Sequence, residues 1–421
     1  MALFLPKVIQ REKTKIRMIL EKGITLDGLV IDYHILKHFW KVINGIITLV
    51  LRKNKEAKIL VNPRTDVLQL EKEIRASRKT FEHIFKIAEI YGAEIKSDKT
   101  FEPSYLEKRL DIMIKNLVQT HKTLCFEDLE GAIKCPEFFI PPYFVPGDYD
   151  DEWYKLTLNS IVLSEEKVSK TLPILAPIVV SKPILKHTSK VRMVVNDYIQ
   201  LLKTMDNIKG YVIIPYGVNE YSESGTILSN IVLLASQLKK ETNDFILAFT
   251  GEFGNVLAAF GVDAVSSGIC WGRNPAEPTI LEGIMPLART EEQLYIHAIF
   301  RKTYLDKTIK LLTEKPEIYQ CDCPVCSHHR KTMPKPSDFV QLMDTNDVSV
   351  HYAYWRIKEL KMYHNNPDAL LKDLEAGYKI LKEYNEKVRE EYFFLGKGRY
   401  RLTISNAHLK TWINVVRDHL R

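Results

Sequence analysis

Apolar positions in the second half of the chain fall into a regular alternation. Short runs of aliphatic and β-branched residues at Ile174–Ser181, Tyr211–Pro215, Phe245–Phe249 and Val262–Ser266 read as buried strands. Between them Val191–Met205, Ile227–Lys240 and Asn255–Phe260 space their apolar residues as helices do. Strands apolar along their length and separated by helices predict a parallel sheet with crossover connections. A closed barrel and an open doubly wound sheet both satisfy this rhythm. Three of the strands run into turns bearing glycine: Tyr216-Gly217-Val218-Asn219-Glu220, Thr250-Gly251-Glu252-Phe253-Gly254 and Ser267-Gly268. The carboxyl ends of parallel strands are where such folds keep their chemistry.

The first half is less regular. Ile24–Leu36 reads as a strand with a turn at Asp27-Gly28, or as two short strands, and Ile46–Leu51 is rich in β-formers. Ala57–Val61 is another strand, broken by Asn62-Pro63-Arg64-Thr65. Asp66–Tyr91 and Tyr105–Thr120 have helical periodicity. Pro136–Pro146 holds four prolines among aromatic residues. It predicts a stiff apolar segment, because proline cannot serve a central ladder. Farther on, Thr290–Leu312 reads as one long helix, Asp368–Phe393 as another opened by Asn366-Pro367, and Ala407–Leu420 as the last.

Composition adds bounds. The chain has 421 residues, 45% hydrophobic and 27% charged, which is ordinary for a globular protein. It has no apolar run long enough for a membrane span, so no membrane partner is expected. The formal net charge of +7 permits a polyanionic partner.

Half of the six cysteines, Cys321, Cys323 and Cys326, fall within six residues. Three thiolates so placed can close on a zinc ion with one more ligand. His351 is the choice for that ligand, with His328 and His329 as nearer competitors. It precedes the apolar-periodic run Tyr352–Tyr363, which places it at or near a helix start. A redox pair of Cys323 with Cys326, or plain thiols, are the other readings. A four-ligand shell makes the metal structural. The uneven cysteine usage fits a reducing, cytoplasmic setting. Arg330, Lys331, Lys335, Arg356, Lys358 and Lys361 cluster near this segment and suggest a phosphate-reading patch.

The string Cys-Asp-Cys-Pro-Val-Cys with a distant His351 resembles the zinc site of the tRNA-guanine transglycosylase superfamily. The resemblance implies an α/β fold, a (β/α)8 TIM barrel, with a zinc-binding segment and a C-terminal helical lobe. The corresponding divisions are 1–312, 313–365 and 366–421. It implies replacement of guanine in tRNA or DNA by a 7-deazapurine base, through a carboxylate that attacks the ribose C1′. Partners are then nucleic acid, the incoming base and a second subunit, in a homodimer or a heteromer. Phe260-Gly261-Val262-Asp263-Ala264-Val265-Ser266 is similar to the family strand that ends in the nucleophilic aspartate, but Ser266 stands at the matching position. Catalytic candidates are therefore Asp66, Asp263 and Asp32. Substrate-binding candidates are Arg64, Gly217, Gly251, Glu252, Ser266 and Gly268. The alternative is a noncatalytic partner subunit of the same fold that binds nucleic acid.

Overall fold

A computed structural model describes residues 1–9, 12–69, 88–93, 102–124, 126–127, 133–269, 293–395 and 398–421. The chain opens with β1 (Leu3–Phe4), β2 (Lys7–Val8), α1 (Lys13–Glu21), β3 (Gly28–Asp32), α2 (Tyr33–His38), α3 (Trp40–Lys53) and β4 (Lys58–Asn62). After α4 (Pro103–Thr123) come the short strands β5 (Phe126–Glu127) and β6 (Ile133–Lys134), then α5 (Glu152–Lys167). The alternating part follows: β7 (Ile174–Ser181), α6 (Lys182–Leu185), α7 (Thr188–Thr204), β8 (Ile208–Tyr216), α8 (Gly225–Thr242), β9 (Phe245–Phe249), α9 (Gly254–Ala259) and β10 (Ala264–Ser266). The hairpin β11 (Gln293–Ile296) and β12 (Arg301–Tyr304) leads into α10 (Leu305–Glu314), α11 (Pro324–Arg330), α12 (Pro336–Val340) and α13 (Thr345–Tyr363). Finally α14 (Pro367–Lys387) and α15 (Ala407–Leu420) flank the hairpin β13 (Tyr392–Leu395) and β14 (Gly398–Arg401). The protein is thus a mixed α/β fold with a helical C-terminal region.

The expected parallel pairing is present. Five strands run in the order β1-β10-β9-β8-β7, and three more in the order β2-β3-β4, all parallel. The segment that supplies β1 and β2 serves both sheets, and a further parallel bridge joins Lys7 to Gly268. The proline-rich segment lies beside β7 through a bridge from Phe139 to Ile174. It also reaches β4, where Lys58 pairs with Glu137 at 2.6 Å and the Tyr143 hydroxyl donates to Asn62 at 2.9 Å.

Side chains alternate across these strands. Leu5, Val30, Leu60, Ile140, Val179, Val212, Ile214, Leu247, Phe249 and Ala264 form one compact apolar cluster. The other strand faces join the larger core beneath the helices. One step of two residues beyond that compact cluster stand Lys7, Asp32, Asn62, Ser181, Tyr216 and Ser266. The periodicity that builds the apolar layer therefore ends in a polar one at the carboxyl ends of the strands.

Several expectations need correction. Ile46–Leu51 is not β but lies inside α3, whose buried residues Ile43, Ile46, Ile47, Val50 and Leu51 follow helical spacing. Tertiary burial of that stripe outweighs the preference of β-branched residues for strands. Ile24–Leu36 yields one strand, β3, and then turns directly into α2. Thr290–Leu312 is no long helix in its described part, because β11 and β12 pair before α10 begins. Of Asp66–Tyr91, residues 70–87 lie outside the described residues, and Thr65–Gln69 forms a 3₁₀ turn. The helix expected over Asp368–Phe393 ends at Lys387. Among the described residues no helix is long and apolar enough to cross a membrane.

Candidate metal centre and strand-end site

Cys321, Cys323, Cys326 and His351 form a Cys3His zinc site. Their ligand atoms all lie within 4.8 Å of one another, and all four residues are buried. His351 Nδ1 is 3.4, 3.6 and 3.4 Å from the three sulfurs in turn. A tetrahedral zinc with ordinary Zn–S and Zn–N bonds requires S···N separations of about 3.5 Å. Surrounding groups orient the ligands. His351 Nε2 donates to the Tyr295 carbonyl at 2.8 Å, which leaves Nδ1 free for metal. Trp355 Nε1 donates to Cys321 Sγ at 3.1 Å, and the Tyr319 hydroxyl lies 3.2 Å from Cys326 Sγ. Backbone amides of Cys323 and Cys326 point at the Cys321 and Cys323 sulfurs. Such donors stabilise thiolates. Four protein ligands leave no open position, so the site is structural.

The nearer histidines are not ligands. His329 faces Asp347, and His328 lies against His329. His351 is also not at a helix start: α13 is capped by Asp344, which accepts from Asn346 and Asp347, and His351 comes in its second turn.

Half of the expected basic patch is consumed, while Lys331, Lys335 and Lys361 stay exposed. Arg356 is fully buried, Arg330 donates to the carbonyls of Tyr319 and Cys321, and Lys358 pairs with Asp322 at 3.0 Å.

A second constellation lies at the carboxyl ends of β2, β3 and β4. Asp32, the last residue of β3, accepts from Lys7 at 2.9 Å, Arg64 at 3.3 Å and Asn62 at 2.9 Å. Arg64 also grips Asp66 with two nitrogens, at 3.0 and 3.1 Å. All five residues are buried. Arg64 adopts a left-handed backbone, φ 51°, which is unfavourable for a non-glycine residue and is held here by the paired carboxylates. Burial alone would raise Asp32, but Lys7 and Arg64 outweigh it and hold the carboxyl at about 2. His34 is pushed down to about 3, first by burial. At neutral pH Asp32 is therefore ionised and His34 a neutral imidazole. Ser266 ends β10 beside this group. Its Oγ, like that of Ser181 at the end of β7, is buried with no hydrogen-bond partner among the described residues.

The turns after β8 and β9 form a third set. Glu220 accepts from Thr250 Oγ1 at 2.9 Å, Gly251 N at 3.0 Å and Glu252 N at 2.6 Å. A Cβ at Gly251 would stand 2.5 Å from the Glu220 carboxylate, so a larger residue here would push that carboxylate aside. Gly217 has a left-handed φ of 70° just after β8. Glu252 accepts from the Tyr221 hydroxyl at 2.6 Å and lies 3.8 Å from Lys302. Burial, and then Glu252, pushes Glu220 up to about 8. Glu252 stays below its usual range because Lys302 and Arg356 offset its burial.

The structure thus brings Asp32, Arg64, Asp66, Gly217, Gly251, Glu252, Ser266 and Gly268 to one end of the strands. Asp263 is not among them. It precedes β10, pairs with Lys239 at 2.9 Å and accepts from Ile246 N at the start of β9. It therefore sits at the amino ends, where it braces a strand, and its catalytic assignment is withdrawn. Lys7 and His34 were missed by sequence reasoning, and Glu220 was placed in its turn without a role. Strand alternation from Leu5 would have found Lys7; Glu220 lies in an irregular turn that no period reaches.

No family model matches the chain, and no curated protein matches it. Among solved structures it overlays on two of the carboxyl transferase domain of Rhizobium etli pyruvate carboxylase. One, a variant with pyruvate, is 10% identical, with all of this chain and 76% of that chain covered and a TM-score of 0.34. The other, with 3-hydroxypyruvate, is 11% identical, with 100% and 77% covered and a TM-score of 0.34. Overlaps at that score carry no argument about fold or activity.

Proposed function

We propose that the protein exchanges a base on a nucleoside of tRNA or DNA, replacing guanine by a 7-deazaguanine derivative through a covalent carboxylate intermediate. The observation that carries this reading is the meeting of Asp32 and Asp66 across Arg64 at the carboxyl ends of parallel strands. Loss of a purine from ribose develops positive charge at C1′, which a nearby carboxylate stabilises and captures. Asp66 is the nucleophile in this scheme, since its oxygens carry one Arg64 bond each. Asp32, held ionised by Lys7 and Arg64, is the fixed negative charge beside it. Gly217, Gly251 and Glu252 line the approach of the flat base.

The reading carries an architecture with it: the two parallel sheets and the proline-rich segment close into one eight-stave barrel. The segment shared by β1 and β2, the Phe139–Ile174 bridge, the Lys58–Glu137 and Tyr143–Asn62 contacts and the enclosed apolar cluster support that closure.

The test is incubation of the purified chain with labelled guanine, or with a 7-deazaguanine, and tRNA or duplex DNA. Label enters the nucleic acid with the wild type, and Asp66→Asn lowers incorporation at least 1,000-fold, on the order of the ~4 kcal/mol attached to losing a key transition-state group. No incorporation into either polymer rejects the reading.

One observation favours a second reading, a noncatalytic partner subunit. Ser266 places a buried, unpartnered hydroxyl where the resembled strand ends in a carboxylate. In that case the chain binds nucleic acid without exchange, and adding an active homologous subunit restores incorporation.

A further inference from the structure

Glu220 and Glu252 come from different turns, after β8 and after β9, and both are buried. Their carboxyl groups lie within hydrogen-bonding reach of each other. Two carboxylates that close in a buried site cannot both ionise, so the pair shares one proton. The surroundings decide which partner carries it. Beside Glu252 stand two cations, Lys302 of β12 at 3.8 Å and Arg356 of α13, and the Tyr221 hydroxyl donates to it as well. Arg356 also pairs with Glu359 at 3.3 Å, an acid that burial pushes up to about 7. Glu220 is met by neutral donors instead: the amides of Gly251 and Glu252 and the Thr250 hydroxyl. The Tyr352 phenol of α13 stands near both acids and stays protonated, because burial raises it first. From α15, Trp412 Nε1 donates to the Glu220 carbonyl at 3.1 Å, and His408 stacks edge-on against Tyr221. Burial pushes His408 down to about 4, so it brings no charge at neutral pH. Arg301 lies over the far side of this group, 4.9 Å from the centre of the Tyr221 ring. The negative charge therefore rests on Glu252 and the proton on Glu220.

We propose that Glu220 is a positioning residue for the base: as the protonated member of the pair it donates to Glu252, keeps Glu252 an anion, and fixes the Gly251 turn. The inference rests on the base-exchange reading, in which Gly251 and Glu252 line the approach of the base, and it names what holds them there. One carboxyl group engages three successive residues, 250 to 252, through a hydroxyl and two amides. It acts through Glu252 and the turn and does not itself touch the base. Loss of its proton sets two buried anions against each other. Glu220 then withdraws, and the Gly251 and Glu252 amides lose their acceptor.

The experiment compares the full wild-type chain with Glu220→Gln, whose amide keeps the shape and the donor of the protonated acid. The first readout needs no substrate: urea unfolding of both chains over a series of pH values. The folded wild type keeps a proton that the unfolded chain releases near 4.5, and gives it up only at about 8. The wild type therefore loses stability relative to Glu220→Gln as pH rises through this window, by about tenfold in the folding constant per unit, and the difference levels above about 8. A difference that stays constant across the window shows Glu220 ionised throughout and overturns the proposal while the base-exchange reading stands. The second readout is incorporation of labelled base. Wild-type kcat/KM falls about tenfold per pH unit above about 8, and Glu220→Gln lacks this limb. At pH 7 Glu220→Gln restores on the order of tenfold of the activity that Glu220→Ala loses. A limb that survives in Glu220→Gln, or equal activity of the two variants, overturns the positioning role. No incorporation by the wild type, with the stability difference as expected, rejects the base-exchange reading and the positioning role with it, and leaves only the shared proton.

Discussion

Asp32 and His34 lie two residues apart and titrate far from their ordinary ranges, each for its own reason. Asp32 is lowered by its cations, so its contribution to stability is present above the unfolded value near 3.8 and disappears as pH falls through about 2. That contribution is about 2 kcal/mol. His34 is lowered by burial, so below pH 6.5 the unfolded chain takes up a proton that the folded chain refuses. Stability therefore falls from pH 6.5 toward 3, by roughly 2–3 kcal/mol at pH 4.5 from this residue alone. Both effects have the same sign. His34→Gln is expected to flatten the limb between pH 6.5 and 4.5 in urea-unfolding series; an unchanged limb would show that His34 is not held neutral. Asp32→Asn leaves Lys7 buried without its counter-ion and Arg64 with Asp66 alone, and is expected to cost about 3–5 kcal/mol at pH 7, read from the same curves.

At the scale of elements, α13 ties the zinc to the strand ends. His351 supplies a metal ligand and Trp355 a donor to Cys321. On the same helix Tyr352 lies 3.3 Å from Ser267 and under the Lys302 ammonium, while Arg356 donates to Asn255 at 2.7 Å and to the Gly251 carbonyl at 3.0 Å. The Gly251 turn is thus held by Glu220 on one side and by the zinc-bearing helix on the other. Cys323→Ser is expected to abolish bound zinc, measured by metal analysis, and to lower the melting temperature. Chelation of the wild type is expected to speed amide exchange over Thr250–Asn255 as well as over residues 321–330. Fast exchange confined to 321–330 would show that the metal clamps only its own loop. Arg356→Met reproduces the Thr250–Asn255 effect with zinc still bound.

For the whole molecule, what could be read from sequence follows burial. The strands between Ile174 and Phe249 are apolar over most of their length, and their period and turns locate them within a few residues. The zinc ligands were legible because metal chemistry restricts residue type and spacing together. α3 was misread because attention to β-branched residues hid a stripe at helical spacing. The pair β11 and β12 was misread because its side chains, partly buried against α10 and α13, mimic a helical stripe. Least legible was the polar set. Asp32 and Asp66 were found singly, but their joining through Arg64 depends on a left-handed backbone that the residue type gives no reason to expect. Asp263 was misplaced by one half of a strand, which carries a side chain to the opposite end of the sheet.

The most direct measurement is mass analysis of the chain quenched with acid during exchange on a short guanine-containing nucleic acid. The account predicts a covalent adduct with the mass of the polymer less guanine, mapped to the peptide that contains Asp66 and absent in Asp66→Asn. Exchange that proceeds with no such adduct, or with the adduct on another residue, contradicts it.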